Sequence, residues 1–208
     1  MDGVFMRKFG VRIGICFLIA VLCWTGGLLR DRQILDHELV RLHVVGASDS
    51  AEDQSVKLQV RDTVLKSLET ELRNLTDAEA AMAYLQENLP KIEGAANAFL
   101  ESAGISDRVR VNLAREEFPS RFYDTFALPA GIYNTLRVVI GAGEGRNWWC
   151  VAFPALCTGA TAEDFEAVAS GAGFPEALTA ALETDEGYEI RFYLLDLLGR
   201  IENLLRGE

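Results

Sequence analysis

Gly-Ala-Gly-Glu-Gly-Arg-Asn-Trp-Trp-Cys-Val-Ala-Phe-Pro-Ala-Leu-Cys occupies residues 141–157. An apolar run at 136–140 precedes the glycines, and a second apolar run follows them and stops at Pro154. Two apolar runs joined by a short glycine-rich turn are typical of a β-hairpin. We therefore expect two paired strands here, and the rest of the chain to be arranged around them.

The spacing GxGxG in this turn is a weak signal for nucleotide binding. A phosphate-binding loop opens a helix, whereas this turn opens an apolar run that contains two tryptophans. The glycines therefore indicate a turn and no nucleotide site.

The N-terminus has the pattern of a signal peptide or a membrane anchor, which we assign to residues 1–30. Arg7, Lys8 and Arg12 precede about 17 apolar or small residues at 13–29, with the basic flank expected in the cytoplasm. The run is at the short end for a spanning helix, and Thr25-Gly26-Gly27 is only a weak cleavage site. A buried core helix is the alternative, but the run lacks a polar face. We expect residues 9–29 to form one helix detached from the globular core.

Residues 31–208 are expected to form a single exported α+β domain: a small, mainly antiparallel sheet with helices packed on one face. It divides into a motif-bearing core at 38–157 and a C-terminal helical region at 158–208. The net charge of −11 argues against a nucleic-acid partner.

Periodicity and capping signals predict the elements of this domain. The first elements are a linker with some helical tendency at 30–38, a strand at 39–45, a helix from a Ser50–Asp53 capping box to about 74, a helix from Thr76 that Pro90 ends or kinks, and a helix at 91–102 closed by Gly104. A strand at 108–114 follows, then an extended loop or irregular hairpin at 118–133 over a sheet edge or face, and the two strands around the glycine turn. The last elements are a short helix capped at 161–164, a mobile acidic stretch at 183–189 and a terminal helix at 190–205.

Cys150 and Cys157 are the candidates for a disulfide. They are seven residues apart across a turn that contains proline, in a domain expected outside the membrane, where disulfides persist. Cys16 and Cys23 lie in the apolar segment and are expected to pair with nothing.

A catalytic site is possible only as an alternative. His43 and Cys150 could form a nucleophilic pair with Asp49 or Asp53 orienting the histidine, but a bridged cysteine is no nucleophile. A partly buried, hydrogen-bonded histidine is the simpler interpretation. With two histidines and no CxxC, we predict no metal, no cofactor and no small-molecule substrate.

The aromatic residues suggest a partner-binding surface. Trp148 and Trp149 alternate, so they should point to opposite faces of their strand. At least one should join the aromatic segment 118–133 near solvent, which makes Tyr123, Tyr133, Trp148 and Trp149 the candidates. The alternative is that both tryptophans are core residues.

Five blocks of sequence closely resemble the signature of the stage II sporulation protein R family. They are Arg41-Leu-His-Val-Val-Gly-Ala-Ser-Asp-Ser-Ala-Glu-Asp-Gln-Ser-Val-Lys-Leu-Gln-Val-Arg-Asp62, Phe118-Pro-Ser-Arg-Phe-Tyr123, Leu128-Pro-Ala-Gly-Ile-Tyr133, Leu136-Arg-Val-Val-Ile-Gly141 and Asn147-Trp-Trp-Cys-Val-Ala-Phe-Pro-Ala-Leu-Cys157. Gly46-Ala47 departs from the Ala-Asn expected there, which should loosen the turn after the strand without abolishing it.

The resemblance implies a signalling role in sporulation. Such proteins are made in the forespore and exported to the space between its two membranes, where they are secreted or membrane-anchored. There they activate a membrane-embedded aspartic protease of the mother cell, which processes the precursor of a mother-cell sigma factor. The resemblance implies no catalytic residues. An exported Cys/His hydrolase of the cell envelope and an anchored structural protein are the alternatives.

Overall fold

The computed structural model describes residues 2–156, 162–183 and 190–206. Its elements are α1 (Asp2–Glu38), β1 (Val40–Val45), α2 (Ala51–Leu72), α3 (Ala78–Ser102), β2 (Val109–Phe118), β3 (Arg121–Phe122), β4 (Ala127–Leu128), β5 (Gly131–Ile140), β6 (Asn147–Phe153), α4 (Ala162–Gly171), α5 (Glu176–Leu182) and α6 (Ile190–Arg206). The predicted cap at Thr161 and the acidic residues 184–189 lie outside the described residues.

The α+β class is confirmed. Four strands form one mixed sheet in the order β2-β5-β1-β6. β1 is parallel to β5, while the β1–β6 and β2–β5 pairs are antiparallel. The short strands β3 and β4 pair with each other, so the segment 118–133 is the irregular hairpin that its prolines predicted.

The predicted pairing of the two strands around the glycine turn is wrong, because β1 lies between β5 and β6. The turn crosses the end of β1 and is held there by its backbone: the Glu144 amide donates to the Ala47 carbonyl at 3.2 Å, and the Gly145 amide donates to the Gly46 carbonyl at 2.9 Å. β1 suits the central position because five of its six residues are buried, which requires cover on both faces.

Helices α2 and α3 cover one face of the sheet and form the first core cluster with β1, β5 and β6. The Ser50 side chain accepts from the Asp53 amide at 3.0 Å, so the predicted cap of α2 is confirmed. Asp77 rather than Thr76 caps α3 by accepting from the Ala80 amide at 2.8 Å.

Pro90 does not end the second of these helices, since α3 runs without interruption from Ala78 to Ser102. Pro90 and Gln86, whose carbonyl loses its partner, are both exposed, so water can satisfy the missing hydrogen bond. Leu85 and Ile92 are buried on either side and hold the two halves against the sheet. Gly104, with a φ of 71°, closes the helix as predicted.

A second core cluster lies on the opposite face of the sheet, beyond the single helical layer that was expected. Its members come from the end of α1, the β3–β4 hairpin, β5, β6 and helices α4 to α6. The fully buried rings of Phe118 and Tyr133 lie at its centre. In the part of the chain that the structure describes, this cluster covers one end of the face, while Arg110, Asn112 and Asn147 at the other end are exposed.

The predicted linker at 30–38 is the last part of α1. Leu28, Leu35 and Leu39 are buried in the second cluster, and Asp31 and Arg32 are buried beside them. The described residues from Phe9 to Gly26 are exposed, so the helix is detached from the core up to Gly26, and the predicted detachment of residues 9–29 is wrong at Leu28. A helix apolar enough to cross a membrane spans Val11–Glu38 in this structure, which is compatible with a signal or an anchor.

We expect Gly145→Ala to destabilise the fold by about 1–3 kcal/mol, the usual cost of overpacking. A Cβ at this position would overlap the Ser48 carbonyl, where the glycine turn crosses the end of β1. Chemical denaturation measures the change.

Gly94→Ala is the matched control. Gly94 lies on an exposed turn of α3 with open space around it, so alanine should stabilise the helix by about 0.5–1 kcal/mol. Equal effects of the two substitutions would contradict the tight crossing.

Candidate functional site

Trp148 and Trp149 lie on opposite faces of β6, as predicted. Trp148 is opposite Val44, on the face covered by α2. Its ring lies under the guanidinium of Arg61, 4.4 Å from the ring centroid. Trp149 is opposite His43 on the other face. The two tryptophans therefore belong to different surfaces.

The ring of Trp149 contacts one aromatic and one cationic side chain. The imidazole of His43 stacks on it with centroids 5.6 Å apart and an interplanar angle of 20°. The guanidinium of Arg121 lies 3.6 Å from the ring centroid. Such stacking fixes the orientation of the indole while leaving part of it in contact with solvent.

Polar contacts hold His43 from both sides. Its Nδ1 lies 2.7 Å from Oε2 of Glu116, and its Nε2 lies 3.0 Å from Oδ1 of Asn147. Arg137 donates to the other oxygen of Glu116 at 2.9 Å. These contacts link β2, β5, β1 and β6 across the sheet.

Glu116 is the ionised centre of this network. Burial alone would raise the pKa of its carboxyl, but the hydrogen bonds and the electrostatic attraction of His43 and Arg137 outweigh burial. The pKa of Glu116 therefore lies below its ordinary value.

A buried arginine packs beneath Tyr123 and connects it to strand β6. Arg41 is fully buried, with its Nε donating to the Cys150 carbonyl at 3.0 Å and its Nη2 to the Tyr123 hydroxyl at 2.8 Å. Its guanidinium lies over Phe118 and Tyr133, 4.3 and 5.1 Å from their centroids. Arg41 thereby ties the β3–β4 hairpin to the central strand beside Trp149.

The sheet register lines up one side chain from each strand on this face. Asn112 is opposite Arg137, Arg137 is beside His43, and His43 is opposite Trp149. We name the surface around this row the open face, and it consists of Arg110, Asn112, Glu116, Arg121, Arg137, His43, Asn147 and Trp149. Three arginines and one carboxylate make it basic within a chain of net charge −11.

The four predicted partner-binding residues do not form one surface. Tyr123 and Trp149 are partly buried at the edge of the open face, whereas Tyr133 is fully buried in the second cluster. Trp148 is 37% exposed on the other side of the sheet. The open face also contains Arg121, Arg137 and Glu116, which the sequence did not indicate as binding residues. The alternation of side chains along β2 and β5 is the signal that assigns Glu116 and Arg137 to this face.

His43 and Cys150 do not form a nucleophilic pair. Cys150 is opposite Leu42 and belongs to the first core cluster, so its side chain lies on the other face of the sheet from His43. Cys150 is also disulfide-bonded. Its predicted partner Cys157 lies outside the described residues, and that pairing stays a prediction. Within the described part of the chain, no cluster of three or more His, Cys, Asp or Glu residues could hold a metal ion.

We expect Glu116→Gln to lower the free energy of unfolding at neutral pH by about 1.5–3 kcal/mol, the range for hydrogen bonds to charged groups. Because the folded-state pKa of Glu116 is lowered, its carboxylate stabilises the fold above its unfolded pKa of about 4.3, and this contribution is lost as the pH falls through the folded value. Chemical denaturation of the wild-type protein and of Glu116→Gln at pH values from about 3 to about 7, which include the unfolded pKa, measures the difference in their free energies of unfolding.

Glu69→Gln is the control, since Glu69 forms an exposed pair with Arg73 on α2 and should contribute little. A penalty for Glu116→Gln that stays constant across this pH range would contradict the ionised network.

Comparison with known proteins gives one family and one curated relative. The family model for stage II sporulation protein R matches residues 36–163. The protein named stage II sporulation protein R from Bacillus subtilis (strain 168) is 34% identical over 124 residues, which cover 60% of this chain and 55% of the relative. The chain thus spans just over half the length of that relative. No solved structure matches the chain.

The matched residues include all strands from β1 to β6. They therefore include every residue of the open face. Because it extends over more than half of the chain, this protein belongs to the stage II sporulation protein R family, a family of sporulation proteins.

Proposed function

We propose that this protein is an exported sporulation signal, with no catalytic activity of its own. It binds and activates a membrane-embedded aspartic protease of the mother cell, which then processes the precursor of a mother-cell sigma factor. Family membership supports the sporulation role. The protease partner and the processing step are carried over from the resemblance.

The open face supports a binding function. Interfaces concentrate their binding energy in tryptophan, tyrosine and arginine side chains held in fixed positions. Here Trp149 is fixed between His43 and Arg121, and Arg41 fixes Tyr123 from below. The single observation that carries the proposal is the row Asn112–Arg137–His43–Trp149, which crosses all four strands and is covered by none of the helices that the structure describes.

The charge of the open face indicates what it meets. Arg110, Arg121 and Arg137 outnumber the one carboxylate, Glu116. Complementary charge raises association rates and selects partners, so we propose that the protease presents an acidic surface to this face.

The apolar helix α1 supports export. Its exposed part follows the basic residues Arg7 and Lys8, the arrangement that keeps the basic end in the cytoplasm and sends the following domain across the membrane. We propose that the domain lies between the two membranes of the forespore, anchored or released by cleavage.

A hydrolase is not proposed. The alternative needed His43 and Cys150 to meet, and these side chains lie on opposite faces of the sheet.

We expect Asn112→Glu to reduce sigma-factor processing about tenfold, equivalent to about 1.4 kcal/mol of lost binding. Asn112 is exposed and opposite Arg137, so a glutamate there neutralises the basic row without filling a core position. The readout is cleavage of the precursor on co-expression of this chain, the candidate protease and the precursor.

Thr70→Glu adds the same charge at an exposed position of α2, on the covered side of the sheet, and should leave processing unchanged. Thermal melts of both variants identify any loss of fold. Full processing by well-folded Asn112→Glu and Trp149→Ala variants would rule out the open face as the binding surface.

A further inference from the structure

Helix α6 presents an apolar stripe to solvent. Ile190, Leu197, Ile201, Leu204 and Leu205 recur at helical spacing and are between 48% and 76% exposed. We call them the outer stripe. A contiguous row of this size on a soluble surface marks an interaction site.

Both ends of helix α6 contact the same short stretch of α1. Arg191 donates to Asp31 at 2.6 Å, and Arg32 donates to Glu202 at 2.9 Å. Asp31 and Arg32 are consecutive on α1, whereas their partners are separated by about 16 Å along α6 at 1.5 Å per residue. The first turn and the last turns of α6 are therefore both tied to one level of α1.

These contacts are next to the end of the apolar part of α1. Asp31 and Arg32 follow the apolar run 13–29 within one helical turn, about 5 Å. If α1 passes through a bilayer, the contacts hold α6 close to the bilayer surface at the point where α1 leaves it.

The outer stripe lies on the side of α6 that is turned away from the domain. The opposite side of α6 points into the domain: Asp196 accepts from the Ala130 amide at 2.8 Å, and Gly199 packs directly on the Ala130 carbonyl. Leu28 and Leu35 of α1 are buried in the second core cluster, which α6 also covers. The apolar part of α1 and the outer stripe are thus the two exposed apolar surfaces on either side of the contacts between α1 and α6.

We propose that α6 is an interfacial helix that lies on the bilayer crossed by α1, with its outer stripe in the boundary between headgroups and acyl chains. The occupant of the stripe is a lipid surface. Arg30 directly follows the apolar run of α1, and Arg200 is an exposed cation on α6. Cationic groups at the surface of a bilayer favour anionic headgroups. The assignment is independent of the protease partner, because it rests on the packing of α1 and α6.

Tryptophan at the outer stripe tests the proposal in the full chain. A parent with Trp24→Phe keeps Trp148 and Trp149 as a constant background in the sheet. Leu204→Trp and Leu197→Trp are placed in this parent and reconstituted into vesicles of phosphatidylcholine and phosphatidylglycerol. We expect a blue-shifted emission, quenching by lipids brominated near the headgroup end of the acyl chain, and protection from aqueous iodide.

Glu69→Trp in the same parent is the control, because Glu69 is exposed on α2 away from α1. It should be quenched by iodide and not by brominated lipid. Stripe tryptophans that behave like this control would overturn the proposal. So would protection from iodide without quenching by lipid, since a second copy of the chain or another protein would then cover the stripe. Circular dichroism identifies any variant that has not folded.

Discussion

The position of β1 between β5 and β6 is the constraint on which the rest of the structure depends. β5 and β6 follow each other in the chain and are joined by the glycine turn. β1 lies between them and pairs with both. It also decides the neighbours of the two tryptophans, since β1 places Val44 opposite Trp148 and His43 opposite Trp149. A direct β5–β6 hairpin would have removed His43 from Trp149 and left no row across four strands.

The buried arginines connect this sheet to its surroundings. Arg41 is stabilised by two aromatic faces and two hydrogen bonds, and it fixes the hairpin that carries Arg121. Arg32 on α1 donates to the Ala130 carbonyl at the start of β5 and pairs with Glu202 on α6. The helix that carries the apolar segment is thus joined to the sheet without a flexible linker, so the orientation of the open face relative to that segment is set by the fold.

Local patterns predicted the elements well because their causes are local. The Ser50 cap, the Gly104 closure and the alternation of Trp148 and Trp149 each depend on a few neighbouring residues. Strand order was not predictable in the same way, since period-two alternation assigns each residue to a face and says nothing about which strand is adjacent. The polar residues at 30–38 suggested a linker because Asp31 and Arg32 find their partners on α6, more than 150 residues away. The open face could not be predicted from the sequence for the same reason. Glu116, Arg137 and His43 lie on three different strands, and only the register of those strands brings them together.

The central claim is that the open face is the contact surface for the protease, and site-specific photo-crosslinking tests it most directly. A photoreactive amino acid replaces Asn112 on the open face or Thr70 on α2 in the full chain, co-expressed with the candidate protease. The account predicts a crosslinked product containing the protease from position 112 and none from position 70. Both variants must still support sigma-factor processing. If they do and only position 70 gives a crosslink, the central claim is contradicted and the contact lies on the helical side of the sheet.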